Sequence, residues 1–343
     1  TRNFIVASQG ALDEDGIPVV VLAKKTAFTA NEESTVLVHL DHYDQLDALY
    51  LPSQPGNNPF SDLIASNDPY AFAAGYAYNV APVTDNAPFF FFTLKARQVL
   101  GEQGLRDGID WKVNLGVLVL LLVLVISVVA VLLFLILPLA FARGRLREKS
   151  LTPLYFIAVG LGYILVEIAF IQRFVLFLGH PTYALTVVIF LMMLSSGAGS
   201  LFSRAWLPHT RLAWLPLALV IVTLLADVFF LPSRLASLVG LAFGYRLAVS
   251  AVIVIPLGFV MGMPFPTGLR ALATGFDHGG ASRSAENLVE WAWAMNAAAS
   301  VMGSVLAMVI AIQFGLTITL ACGAAAYLCA LLLSPTLPGN ATA

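Results

Sequence analysis

Residues 114–142 run for nearly thirty positions without one charged side chain, and that stretch constrains the chain more than any other feature. About 20 apolar residues, rising 1.5 Å each, cross the hydrocarbon core of a bilayer. A segment this long and this free of charge is incompatible with life in water, so a transmembrane helix is predicted here. Trp111 and Lys112 before it and Arg143, Arg145, Arg147 and Lys149 after it are the residue types that anchor a span at the two interfaces.

The pattern recurs. Further spans are expected at 153–178, 182–203, 212–231, 247–269, 290–313 and 316–334, which makes about seven transmembrane helices in residues 113–343. Hydrophobic residues are 59% of the chain and charged residues 11%, against about a quarter charged in soluble domains. The connections Gly179-His180-Pro181 and Gln313-Phe314-Gly315 leave room only for tight turns, so a compact polytopic bundle follows. Ser196 and Ser200 share one span, and Asn296, Ser300, Gly303 and Ala307 share one face of another. Small residues at this spacing let helices approach closely in lipid. Cys322 and Cys329 are seven positions apart on the last span, about 10 Å along a helix axis, too far to bond to each other.

Residues 1–112 differ. They carry 7 Lys and Arg against 14 Asp and Glu, whereas residues 113–343 carry 11 against 6. An acidic, water-facing segment therefore precedes a mildly basic membrane domain. Its opening, Thr1-Arg2-Asn3-Phe4-Ile5, has no charged-then-apolar leader and reads as the interior of a longer polypeptide. Residues 3–8 and 17–24, separated by Asp13-Glu14-Asp15-Gly16, are β-branched runs that predict a hairpin. An amphipathic helix is expected within Thr29 to Leu46, and Asp47 to Pro52 reads as another short strand. Loop and short helix follow to Pro88. Strand, strand, helix and strand are too little to close a core, so the segment reads as the tail of an α/β domain. The charge difference between the two sets of loops, 8 against 6 Lys and Arg, does not fix orientation. The cluster at 143–149 alone favours a cytoplasmic loop there, with residues 1–112 on the other side.

Ionisable groups at membrane depth are costly and mark either a functional site or a structural network. Glu167 lies inside a span with Tyr163 on nearly the same face, and Gln172 and Arg173 follow. A proton relay or polar site around Glu167 and Arg173 and a structural network locking helices together both remain open. Because the two residues are six apart, each needs partners on other helices. Arg270, Glu286, Glu290, Trp291, Trp293 and Asn296 form a second group. Acids at a helix start suit the dipole and paired Trp suits the interface, so a headgroup-level anchor is the alternative to a site. Asn296, deeper, is expected to form an interhelical hydrogen bond. The stretch Gly262-Met-Pro-Phe-Pro-Thr-Gly268 breaks a helix, as binding sites of transporters do and as simple kinks also do. His39, Asp41, His42 and Asp44 read as a solvated helix face and not as a metal site, and His180 as a capping or packing group. The chain contains no glycine-rich nucleotide loop, nucleophile signature or zinc pattern, so no catalytic, cofactor-binding or metal-binding residue is assigned. Nothing in an acidic segment favours nucleic acid.

The stretch Gly160-Leu-Gly-Tyr-Ile-Leu-Val-Glu-Ile-Ala-Phe-Ile-Gln-Arg173, extending to Gly179-His-Pro-Thr-Tyr183, together with Met261-Gly-Met-Pro-Phe-Pro-Thr-Gly268 and Trp291-Ala-Trp-Ala-Met-Asn296, resembles the C-terminal membrane half of multi-spanning bacterial proteins classed as spermidine synthase-like. Thr84-Asp-Asn-Ala-Pro-Phe-Phe-Phe91 is similar to that family's Thr-Asp-Asp-Arg-Pro-Phe-Phe-Phe element, from which Asn86 and Ala87 depart. The resemblance implies a bacterial inner-membrane protein whose water-facing part is a Rossmann-type methyltransferase or aminopropyltransferase domain. S-adenosylmethionine or its decarboxylated form would bind on a glycine-rich turn that these residues do not include. Residues 1–112 would be the C-terminal remnant of that domain, and residues 113–343 the bundle that anchors or serves it. A domain using such a cofactor belongs on the cytoplasmic side, against the charge reading. Two other classes stay open: a non-enzymatic subunit packed in lipid against other subunits of a complex, and a transporter-like bundle built on Glu167, Arg173 and the broken helix.

Overall fold

A computed structural model describes residues 2–10, 17–90, 92–95, 115–133, 137, 151–206, 212, 214–274 and 282–337, with backbone only for 274 and 282–288. The flanking anchors of the first span (Trp111, Lys112 and the basic cluster 143–149), the turn at 13–16 and the Glu286 side chain lie outside the described residues. The chain divides into two compact units. One is Thr1–Pro82 with Phe91–Val117, and the other is Val83–Phe90 with Leu118–Ala343.

The first unit holds a three-stranded sheet. Strands β1 (Phe4–Gln9) and β2 (Val19–Ala23) form the expected hairpin, with Phe4 opposite Ala23 and Ser8 opposite Val19. Strand β3 (Leu46–Tyr50) pairs with the other edge of β1, giving the order β2-β1-β3 with both pairs antiparallel. Rossmann sheets are built on parallel pairs, so this sheet does not by itself display the Rossmann remnant the resemblance implies. Helix α1 (Ala30–Asp41) starts in a capping box in which Thr29 and Glu32 each bond the other's backbone N–H. The hydrogen bond from Lys24 Nζ, 2.6 Å away, holds the Glu32 carboxyl down to about 2, helped by the Thr29 donors. The helix lies within the expected 29–46, ending at Asp41, and His42 to Gln45 form the turn into β3. Two short helices, α2 (Pro59–Ala65) and α3 (Pro69–Gly75), each begin with proline behind an Asn58 or Asp68 cap.

The second unit is helical. Helix α4 (Leu115–Val131) is followed by α5 (Thr152–Leu178), α6 (Pro181–Trp206), α7 (Trp214–Leu238), α8 (Phe243–Met261), α9 (Pro264–Thr274), α10 (Ser282–Phe314) and α11 (Leu316–Leu333). Six spans among the described residues are long and apolar enough to cross a membrane, α8 and α9 counting as one broken span. The chain is therefore a multi-pass membrane protein. Six rather than the expected seven spans are found among the described residues, because α4 is described over only 17 residues and most of the rest of its predicted stretch lies outside the described residues.

Helix α5 is the axis of the bundle: α10, α11 and α6 pack along it, α8 lies on α6, and α7 lies on α11. Its most apolar stretch is 61% buried, against 22–44% for the other spans. Tyr155, Phe156, Phe170, Phe174 and Phe177 supply much of the core, and Phe190, Leu201 and Phe229 project from the outside of the bundle, as lipid-facing side chains do. Helices α6 and α8 cross where small residues permit it. A Cβ on Gly199 would strike the Phe259 carbonyl, and one on Gly262 would strike that of Ser196, so this crossing is closed to any larger residue. Successive spans alternate in direction. The end of α5, the start of α6, the end of α7, the start of α8 and the turn from α10 into α11 consequently share one end of the bundle.

Candidate functional site

Several long-range polar contacts of the bundle lie where helices begin and end. An α-helix leaves its first four N–H and last four C=O groups without helical partners. Helix α11 starts at Gly315, which has no side chain with which to cap it, and Asn86, 231 residues away in sequence, takes over the task. The Asn86 carbonyl accepts from Leu316 N–H at 2.7 Å. Its side-chain Oδ1 accepts from Thr317 N–H at 2.8 Å and from Thr317 Oγ1 at 2.6 Å. Gly315 has φ +89° and ψ 164°, a region essentially reserved for glycine, and a Cβ there would also meet the Asn86 side chain.

Arg173 completes this seat. It is only 5% exposed, and its Nη2 donates to Thr317 Oγ1 at 3.0 Å and to Asn86 Oδ1 at 3.3 Å. Asp227 on α7 and Asp85 both attract its charge, but neither comes within 4.0 Å of it. Arg173 Nε and Asp227 Oδ2 are buried with no hydrogen-bond partner. Burying a guanidinium is costly unless its donors are used, and here Arg173 donates from its Nη2 to the cap and to the helix start.

At the same end Arg246 Nη1 donates to the Phe177 carbonyl in the last turn of α5 at 2.8 Å. His180 Nδ1 accepts from Thr182 N–H at the start of α6, a capping role. At the opposite end Arg270 donates to Ser203 Oγ and to the Ser203 carbonyl, both at 3.1 Å, and to Thr267 Oγ1 at 3.1 Å. It thereby closes the last turn of α6. Cations suit that position.

Tyr163, Glu167, Gln172, Arg173, Arg270, Glu290 and Asn296, singled out in the sequence, do not gather into one site. The Tyr163 hydroxyl meets Ser196 Oγ at 3.3 Å. Glu167, near the midpoint of α5, is half-buried and forms no hydrogen bond with a described residue. Gln172 reaches only the Met308 sulfur, at 3.7 Å. Glu290 is exposed. Asn296 packs its carbonyl and side-chain oxygens on Gly160; it does not form the expected interhelical hydrogen bond with a described side chain. The broken span is packed and bonded, since the Tyr155 hydroxyl donates to the Pro264 carbonyl at 2.9 Å and Thr267 Oγ1 to that of Met263 at 2.7 Å.

In the first unit a cavity of about 260 Å³ lies between the sheet and α1, lined by Ile5, Val20, Leu22, Val36 and Leu40. Its wall carries no titratable group. His39, Asp41, His42 and Asp44 are all exposed, and no group of three metal-ligating side chains occurs among the described residues. No protein-family model matches the chain, and neither a curated protein nor a solved structure is found similar to it.

Sequence alone assigns no site role to Asn86, Thr317, Asp227 or Arg246. Asp227 is the lone carboxylate of α7 and was accessible to the rule that found Glu167. Asn86 was not, because only the fold brings it to a helix 231 residues away.

Proposed function

We propose that the helical unit is the membrane anchor of the N-terminal α/β segment in a bacterial protein similar to the spermidine synthase-like membrane family. One observation carries the anchoring. Residues 83–90 are flanked on both sides in sequence by the first unit, yet they belong to the helical unit. Asn86 fastens them by capping α11 under the Arg173 guanidinium. Asn86 thus pins residues 83–90 within the helical unit. The chain is therefore tied to the bundle at this loop as well as at its apolar helices.

The transferase part of the reading rests on the resemblance of the motifs around Gly160, Met261 and Trp291. It assigns S-adenosylmethionine or its decarboxylated form to a glycine-rich turn outside these 343 residues, and to this chain the holding of the domain.

Hydrogen exchange on the intact polypeptide in detergent micelles tests the anchor. Asn86→Ala is expected to raise exchange at residues 83–90 and at the first turn of α11, leaving the middle of α5 protected. Unchanged protection of 83–90 would remove the anchor. Binding of labelled S-adenosylmethionine to the same intact polypeptide is the expected result for a transferase, and no binding would leave a non-enzymatic membrane subunit.

A further inference from the structure

We propose that the seat at the start of α11 is a carboxylate-binding site, which Asn86 occupies as an uncharged stand-in. The inference rests on the anchoring role of Asn86 and adds the chemistry of what the seat prefers. Three donors converge on the single oxygen Asn86 Oδ1: Thr317 N–H at 2.8 Å, Thr317 Oγ1 at 2.6 Å and Arg173 Nη2 at 3.3 Å. That convergence fixes which end of the amide points inward, because the NH₂ group would meet donors only. The amide nitrogen itself donates to no described residue. A neutral amide therefore brings one useful oxygen to a site that offers only donors.

The seat has a donor to spare. Arg173 is 5% exposed and its Nε has no partner. A carboxylate has two oxygens and accepts side by side from a guanidinium, in shorter and stronger bonds than an amide forms. Helix α11 adds the positive end of an 18-residue helix, whose free N–H groups favour an anion. Two charges oppose this. Asp85 is exposed, so water screens it. Asp227 stays more than 4.0 Å from Arg173 and gives Nε no acceptor. Direct donors at 2.6–3.3 Å outweigh screened or more distant carboxylates.

The test is chemical rescue in the intact polypeptide in micelles. Asn86→Ala lowers the melting temperature and exposes residues 83–90. Sodium acetate or formate is expected to restore most of the lost melting temperature, sodium chloride of equal ionic strength to restore none of it, and acetate to do nothing for Asn86→Ala combined with Arg173→Met. Asn86→Asp is expected to melt at or above the unsubstituted protein and to be indifferent to acetate. Equal melting of Asn86→Ala in acetate and chloride, or equal rescue of the double variant, overturns the carboxylate site while leaving the anchor intact. If Asn86→Ala neither melts earlier nor exposes the loop, the anchor itself has failed. Should Asn86→Asp not fold, the acetate arm still decides.

Discussion

Arg270 at one end of the bundle and Arg173 at the other each lie against a helix terminus, and they serve it in opposite ways. At one end Arg270 reaches from α9 to the Ser203 carbonyl in the last turn of α6 and bonds that helix end directly. At the other end Arg173 closes nothing. The helix start it lies beside needs acceptors, and a guanidinium has none to give. The seat is filled instead by Asn86, and Arg173 orients the cap. A cation can finish a helix C-terminus unaided, because the carbonyls there are what it binds. At an N-terminus it needs an intermediary with oxygens. That asymmetry of the helix explains why loop 83–90 is drawn into one end of the bundle, whereas among the described residues the Arg270 end is closed from within it.

The comparison breaks most sharply at Gly315. Alanine there meets a backbone conformation that costs about 1–3 kcal/mol for any other residue. Its methyl also displaces the Asn86 side chain, forfeiting a cap of about 1 kcal/mol and a bond to a charged group of about 1.5–3 kcal/mol. Gly315→Ala should therefore destabilise the bundle by about 3 kcal/mol or more, visible as early melting and as loss of exchange protection at 83–90. If the substitution melts early but the loop stays protected, Asn86 is held by something other than the start of α11, and the contrast between the two ends dissolves.

Much of the bundle was legible in the sequence. Span positions follow from apolar length, and the tight turns at Gly179 and Gly315 from punctuation. The hairpin and the short third strand were equally readable, since each depends on neighbours in sequence. The site was legible only in part. Arg173 stood out because a charge in an apolar helix is costly wherever it ends up. Its partners did not, because Asn86 is an ordinary loop residue until a helix start arrives beside it, and Thr317 is an ordinary first-turn residue. Glu167 and Glu290 drew attention by the same rule, yet one has no hydrogen-bond partner among the described residues and the other is exposed. A rule about cost identifies which residues need partners and says nothing of which ones find them. The count of seven spans is not reached among the described residues, where the first apolar stretch is described as α-helix over Leu115–Val131.

Arg270 offers the gentler test. Methionine there would keep the aliphatic bulk and remove the hydrogen bonds to Ser203 and Thr267, leaving the Ser203 carbonyl without its donor from α9. An orphaned buried acceptor costs about 1–3 kcal/mol, and the lost cation at a helix C-terminus adds about 0.3–1 kcal/mol. Arg270 is partly exposed, however, and water can reach part of what the side chain leaves behind. A loss of about 1–2 kcal/mol is expected, smaller than at Gly315, with exchange rising in the last turn of α6 and not at 83–90. Arg270→Lys should recover part of it, since an ammonium can bond the Ser203 carbonyl but lacks the fork that reaches Ser203 Oγ and Thr267 together. If lysine behaves no better than methionine, the arginine works through its planar packing between α6 and α9, and closing α6 is not its task.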